Sequence, residues 1–164
     1  MNISRQTGRA LHDEHRSNLD LLGRIEGAFA RPPRGERVRD PELLRLAGAL
    51  ERQVAHDVER HFEFEERELF ARMADAGDGD IVGLLSEEHD AIRDVAHELR
   101  PLARAAAAGT LDEAGWATLS RCALELVERQ VAHIQKEEMA LLPLLEDLLD
   151  DDTDARLAMD YTAA

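Results

Sequence analysis

The stretch HFEFEE at residues 61–66 returns as HIQKEE at residues 133–138, and both copies follow the pattern His-x-x-x-Glu-Glu. Side chains four residues apart lie on the same face of an α-helix, one turn above the other. Both copies occur in stretches with helical apolar spacing. Each copy can therefore direct an imidazole and a carboxylate at the same point, and the pair predicts two helices of the same design.

A matching histidine precedes each copy. The stretch LHDEH at residues 11–15 resembles LSEEH at residues 85–89. His15 lies 46 residues before His61, and His89 lies 44 residues before His133. This spacing predicts a doubled helical hairpin that carries a doubled set of metal ligands.

Three breaks divide the chain into four helical segments. Two prolines, Pro32 and Pro33, end the first segment. Asp40 followed by Pro41 predicts an N-cap and first turn for the second, and Asp80 is the expected cap of the third. The predicted helices cover about residues 6–30, 41–74, 80–108 and 110–150.

The fourth segment has its own boundary signals. Gly109 is the expected C-terminal cap of the third helix, and residues 110–113 match a capping box that opens the fourth. Pro143 removes a backbone donor inside this helix, which predicts a local bend past Glu137.

These segments predict an all-α protein, an antiparallel up-down-up-down four-helix bundle with short connections. We expect one domain over residues 1–164, with its core at about residues 6–150. The acidic tail at residues 151–164 is expected to form a short terminal helix or to stay mobile.

Charge and cysteine content restrict the partners. The formal charge of −15 argues against nucleic acid, because neutralising phosphates requires clustered basic residues, and it also disfavours anionic membranes. The only cysteine, Cys122, cannot form an internal disulfide. No apolar run is long enough for a signal peptide or a membrane span. We expect a cytoplasmic protein without nucleic-acid or membrane partners, and its protein partners are left open.

The pseudo-symmetry brings six polar side chains to one level of the bundle: His15, His61, His89, His133, Glu65 and Glu137. Burying them would cost several kcal/mol unless they were paired or bound to metal. Four imidazoles and two carboxylates suit a binuclear centre. If each glutamate bridges two metals, each metal receives two nitrogens and two oxygens, and a bridging oxide or hydroxide leaves one position open.

Iron is the expected metal. Structural zinc prefers a closed tetrahedron, often with thiolates. Mixed imidazole and carboxylate ligation with open positions suits iron or manganese. We expect two Fe ions per chain, with zinc or manganese as substitutes.

The chain resembles the hemerythrin-like proteins, whose domain is also called the His-His-Glu cation-binding domain, over about residues 11–145. The resemblance rests on the two His-x-x-x-Glu-Glu motifs, on Glu-His at residues 14–15 and 88–89, and on Leu-Leu-Pro at residues 141–143. It implies a four-helix bundle in which the four histidines are iron ligands and Glu65 and Glu137 are bridging carboxylates.

The chain departs from the oxygen carriers of that family. These have a fifth histidine four residues from the one on the third helix, and the corresponding positions here are Leu85 and Arg93. They also place an aspartate five residues after the last histidine, whereas Glu137 follows here at four. The resemblance therefore implies a more symmetric and more open site, which disfavours simple reversible oxygen transport.

Residues beside the six ligands were assigned by helical position. His12 lies near the face of His15, so it is either an extra ligand or part of the pocket mouth, and a surface position is the favoured interpretation. Solvent-facing positions are favoured for Glu66 and Glu138 over hydrogen bonds to the ligands. The histidines expected to be structural are His56 and His97.

The predicted function is that of a non-haem di-iron protein whose centre binds or reacts with dioxygen, hydrogen peroxide or nitric oxide in oxidative or nitrosative stress. As an enzyme it would be a peroxide- or NO-metabolising oxidoreductase, with no catalytic residue assigned. The alternative is a non-enzymatic oxygen or iron sensor, carrier or iron buffer. A metal-free scaffold or a ferritin-like oxidase ranks last, because ferritin-like sites use Glu-x-x-His and more carboxylates than imidazoles.

Overall fold

The computed structural model describes residues 2–163, and this part of the chain contains five helices and no strand. We number them α1 (Gln6–Phe29), α2 (residues 41–75), α3 (Gly79–Ala107), α4 (residues 113–148) and α5 (Asp151–Ala163). A short 3₁₀ helix, Gly35–Arg39, connects α1 to α2. The all-α prediction is confirmed, and most of the acidic tail forms the helix α5.

Both motif-bearing helices contain π-helical turns, in which hydrogen bonds run from residue i to residue i+5. These turns are Asp57–His61 and Glu65–Phe70 in α2 and Glu137–Leu141 in α4. The α-helical stretches are Pro41–His56, Phe62–Phe64 and Ala71–Asp75 in α2, and Glu113–Lys136 and Leu142–Leu148 in α4. Such turns occur frequently at functional sites. The glutamate of each His-x-x-x-Glu motif opens one of them.

The cap predicted for α2 is confirmed, whereas the one predicted for α3 is wrong. The Asp40 carboxylate accepts the backbone N–H of Glu42 at 3.0 Å. Asp80 lies inside α3, which begins at Gly79 with Asp78 as its N-cap. The N-cap of α3 therefore lies two residues earlier than the sequence predicted.

The cap of α4 also differs from the prediction. Its N-cap is Asp112, whose carboxylate accepts the backbone N–H of Gly115 at 2.8 Å, so the predicted capping box is wrong. Thr110 instead donates its hydroxyl to a carbonyl in the last turn of α3. Gly109 follows that turn with φ of 74°, a left-handed conformation that glycine adopts without strain.

Apolar side chains form two buried clusters with a polar layer between them. The first cluster includes Phe29 and Trp116, near the end of α1 and the start of α4. The second includes Leu11, Met73 and Leu145, near the start of α1 and the ends of α2 and α4. The predicted ligands lie on the helix turns between these two clusters.

The helix α5 is attached to the start of α1, which has no capping side chain of its own. The Asp154 carboxylate accepts the backbone N–H groups of Gln6 at 2.8 Å and Thr7 at 2.9 Å. Leu157 and Tyr161 of α5 are buried in the second apolar cluster. The end of the chain therefore caps its first helix and reaches the polar layer.

Contacts between α1 and α4 join opposite ends of the two helices. Ser4 and Arg5, just before α1, donate backbone N–H groups to Glu146 near the end of α4. The rings of Phe29 and Trp116 meet edge to face with centroids 5.7 Å apart.

None of the helices described here is both long enough and apolar enough to cross a membrane.

Candidate metal centre

All six predicted ligands converge in the polar layer, and all six are buried. Two overlapping groups each place four ligand atoms within 4.8 Å of one another: His15, His61, Glu65 and Glu137 in the first, and His89, His133 and the same two glutamates in the second. Both glutamates therefore belong to both groups.

The two oxygens of Glu65 face different groups. Its Oε1 lies 3.0 Å from Nε2 of His61, in the first group. Its Oε2 lies 3.3 Å from Nε2 of His89, in the second.

Glu137 divides its oxygens in the same way. Its Oε2 lies 3.0 Å from Nε2 of His15, and its Oε1 lies 2.8 Å from Nε2 of His133. A carboxylate that offers one oxygen to each of two adjacent sites has the geometry of a bridging ligand.

Several buried polar atoms at the centre approach one another without forming a hydrogen bond of good geometry in the described part of the chain: His15 Nε2, Glu65 Oε2 and both carboxylate oxygens of Glu137. A buried polar atom without a partner costs about 1–3 kcal/mol, and more when it is charged. Cations placed between the two glutamates would be coordinated by all of these atoms. The donor set therefore fits a pair of metal ions.

A second layer of glutamates, the outer glutamates, binds the other ring nitrogen of each histidine. The Nδ1-to-oxygen pairs are His15–Glu138 at 2.6 Å, His61–Glu14 at 2.7 Å, His89–Glu66 at 2.8 Å and His133–Glu88 at 2.8 Å. Because an ionised carboxylate only accepts, Nδ1 carries a proton, and it is Nε2 that presents its lone pair to the centre when the imidazole is neutral. The outer glutamates thereby hold all four imidazoles in the tautomer that binds metal.

The solvent-facing positions favoured for Glu66 and Glu138 are wrong, because both side chains are half-buried against ligand histidines. The same role was not predicted for Glu14 and Glu88, which entered the prediction only through the repeat of residues 11–15 at 85–89 and through the family resemblance. A signal for all four was present, since each outer glutamate is the sequence neighbour of a predicted ligand in both halves of the chain.

Each outer glutamate also contacts a residue farther from the centre. These contacts are Arg93 to Glu66 at 2.8 Å, Lys136 to Glu88, His12 to Glu138 at 2.8 Å, and His56 at 3.2 Å and Tyr161 at 2.5 Å to Glu14. His12 therefore lies at the edge of the centre, outside both groups of ligand atoms. His97 is exposed on α3.

Tyr161 was missed by the sequence analysis, because the tail showed no pattern that links it to the motifs. Its hydroxyl donates to Glu14 and lies 3.2 Å from Nδ1 of His61. Its ring packs against Phe64 with centroids 4.4 Å apart. The tail thus contributes a buried polar group to one end of the centre.

Aromatic rings form the apolar wall beside His89. Phe62 stacks on the imidazole with centroids 3.9 Å apart, and Phe70 lies 5.3 Å away with its plane inclined by 22°. Both phenylalanines are buried. This wall excludes water from one side of the second group and fixes the plane of the ring.

Without metal, the histidines of the centre favour their protonated forms. Burial by itself lowers the pKa of His15, but the adjacent carboxylates of Glu137 and Glu138 outweigh it and raise the pKa to about 9. Burial also lowers the pKa of His89, and the adjacent carboxylates of Glu137 and Glu65 outweigh it and raise that pKa to about 9. Protons therefore occupy the metal-facing nitrogens until a metal displaces them.

A buried carboxyl group, Asp57, lies beside the first group. It accepts hydrogen bonds from the amides of Asn18, Gln53 and Gln130, each at 2.9 Å. Burial raises its pKa. A cavity of about 10 Å³, sufficient for one water molecule, separates this network from the ligands.

A helical bundle that gathers two groups of His and Glu ligand atoms around shared carboxylates defines a class, the helical-bundle proteins with a His/Glu cation site. The family model of the hemerythrin HHE cation-binding domain matches residues 7–145. The chain belongs to this family, and the resemblance expected from the motifs is confirmed. No curated protein matches the chain.

Proposed function

We propose that this chain is a non-haem di-iron protein, with His15 and His61 on one iron, His89 and His133 on the other, and Glu65 and Glu137 bridging both. The observation that carries the proposal is the division of each shared glutamate, which turns one oxygen toward each pair of histidines. A site for a single metal would not require this arrangement.

Iron bound there would supply redox and Lewis-acid chemistry. The residues of the chain do the rest. The outer glutamates keep protons on Nδ1, the two apolar clusters exclude water, and Phe62 and Phe70 fix one imidazole plane. The four-imidazole, two-carboxylate set supplies fewer nitrogens than an oxygen carrier has, which leaves room for a small ligand.

We infer that the ligand is dioxygen, hydrogen peroxide or nitric oxide, and that the protein removes peroxide or nitric oxide. The cavity beside the ligands, which is sufficient for one water molecule, supports a ligand of this size. The buried free thiol of Cys122 is compatible with the reducing cytoplasm, where we place the protein.

The first test is metal content with the absorption spectrum. We expect about two irons per chain after anaerobic reconstitution, because the two groups of ligand atoms each accept one ion. His61→Ala and His133→Ala should each lose metal and lower the melting temperature.

The control for these variants is His97→Ala, which removes an exposed histidine from α3. It should keep both irons. Unchanged iron content in both ligand variants would refute the metal assignment.

Peroxide and nitric oxide titrations of the iron-loaded protein then separate the functions. Repeated turnover of either molecule with the iron retained supports the enzyme. Reversible binding without turnover supports the sensor or carrier, and release of the iron on oxidation or reduction supports the iron buffer.

A further inference from the structure

The two metal positions have the same ligand types, but the outer glutamates behind them have different partners. On the His89 and His133 side, these partners are permanent cations. Arg93 donates twice to Glu66, at 2.8 Å and 3.1 Å. Lys136 donates to Glu88.

Among residues 2–163, no such cation contacts the outer glutamates of the His15 and His61 side. Glu138 is bound by His12. Glu14 is bound by His56 and by the hydroxyl of Tyr161. None of these three partners is an arginine or a lysine.

Arg60 is a cation on this side, and it does not contact either outer glutamate through any described hydrogen bond. It donates to the backbone carbonyl of Tyr161, and its guanidinium carbon lies 5.2 Å from the centroid of that ring. Asp57 adds a carboxyl group on the same side. Arg60 therefore does not pair with an outer glutamate in the way that Arg93 and Lys136 do.

This difference acts on the metal through the imidazoles. A carboxylate that accepts Nδ1–H makes Nε2 a stronger donor to metal. A cation bound to the same carboxylate withdraws that negative charge and also repels the metal ion directly. The guanidinium of Arg93 lies 5.6 Å from the centroid of Phe62, which stacks on His89, so it is close to the second position.

We propose that the two metal positions are unequal, and that Arg93 and Lys136 set the difference. The position of His15 and His61 binds metal first and more tightly, and the position of His89 and His133 is the labile one. This inference rests on the proposed binuclear centre. It also assigns a role to Arg93, which stands four residues after His89, at one of the two positions where the sequence lacks a fifth histidine.

The test is a crystal of the protein loaded anaerobically at pH 8 with one equivalent of ferrous iron. Anomalous difference peaks at the iron edge report the occupancy of each position. We expect the peak between His15 and His61 to be about three times the height of the other, because one equivalent of iron shared by two sites of roughly tenfold different affinity divides by about the square root of that difference. Equal peaks, or a higher peak at His89 and His133, would overturn the inference. Absence of both peaks after full iron loading would instead refute the binuclear centre.

Variants identify the cause of the difference. In Arg93→Gln and Lys136→Met, competition with a chelator should show the second iron held about tenfold more tightly, and the two peaks should approach equal height. Arg121→Gln is the matched control, because that arginine pairs with Glu98 at 3.0 Å on the surface. An unchanged affinity for the second iron in both folded variants would exclude a role for the two cations. The crystal of the native protein decides the inequality even if a variant does not fold.

Discussion

The outer glutamates show how one residue can serve a site on another helix. Each is the sequence neighbour of a ligand, so its side chain points about 100° away around the helix and reaches the imidazole of an adjacent helix. Glu88, for example, precedes His89 and binds His133. One helix therefore supplies both a ligand for its own metal position and the orientation of a ligand from its neighbour.

Glu138→Ala should reduce metal affinity by about 10- to 100-fold, the usual cost of losing such an orienting group. The reason is that Nδ1 of His15 would lose its acceptor, and the ring could then turn or exchange tautomers. Chelator competition measures the change. Glu63→Ala, an exposed glutamate within the first motif, is the control and should bind metal normally; equal affinities in the two variants would contradict the orienting role.

Asp57→Ala should lower the free energy of unfolding of the metal-free protein by about 3 kcal/mol, since three amide groups lose their acceptor in a buried setting. Urea denaturation measures this difference. Asp90→Ala removes an exposed carboxylate from α3 and should change stability by less than about 0.5 kcal/mol. A similarly small change for both variants would show that the amide network is dispensable.

At the scale of helices, an acidic side chain in the first turn of α5 links that helix to the start of α1. Asp154 supplies the capping oxygens that α1 lacks, and the same helix carries Tyr161 to the outer glutamate of His61. Helix α5 thus couples the end of the chain to the order of the centre.

Asp154→Ala should cost about 1–2 kcal/mol of stability, the range for loss of an N-cap acceptor. It should also release α5, so that amide hydrogen exchange becomes faster in α5 and in the first turn of α1 but not in α3. Asp152→Ala, an exposed change in the same helix, is the control. If the amide exchange rates of α5 in Asp154→Ala equal those in the native protein, Leu157 and Tyr161 hold the helix without the cap.

For the whole molecule, the metal-free bundle depends on protons in its polar layer. The folded-state pKa values of His15 and His89 are about 9, above the ordinary value of 6.5 for histidine. Their contribution to stability is therefore fully present below pH 6.5 and is lost as the pH rises through 9.

The free energy of unfolding of the chelator-treated protein should accordingly fall by a few kcal/mol between pH 6.5 and pH 9.5. Urea denaturation at a series of pH values measures it. With iron bound, Nε2 is no longer free to bind a proton, so this decline should be weaker. A flat profile for the metal-free protein would contradict the ion pairs of the centre.

The sequence by itself determined the ligand pairs within each duplicated motif and the four long helices. Ligand spacing along one helix is local, so His61 with Glu65 and His133 with Glu137 could be placed from the sequence, and apolar periodicity gave the four long helices. Only the tertiary structure decided which glutamate meets which histidine, that Tyr161 reaches the centre, and that cations stand behind one side. Those contacts join residues from 23 to 147 positions apart, such as His89 with Glu66 and Tyr161 with Glu14. Their pairing depends on how helices rotate and pack against one another, which no periodicity within a single helix encodes.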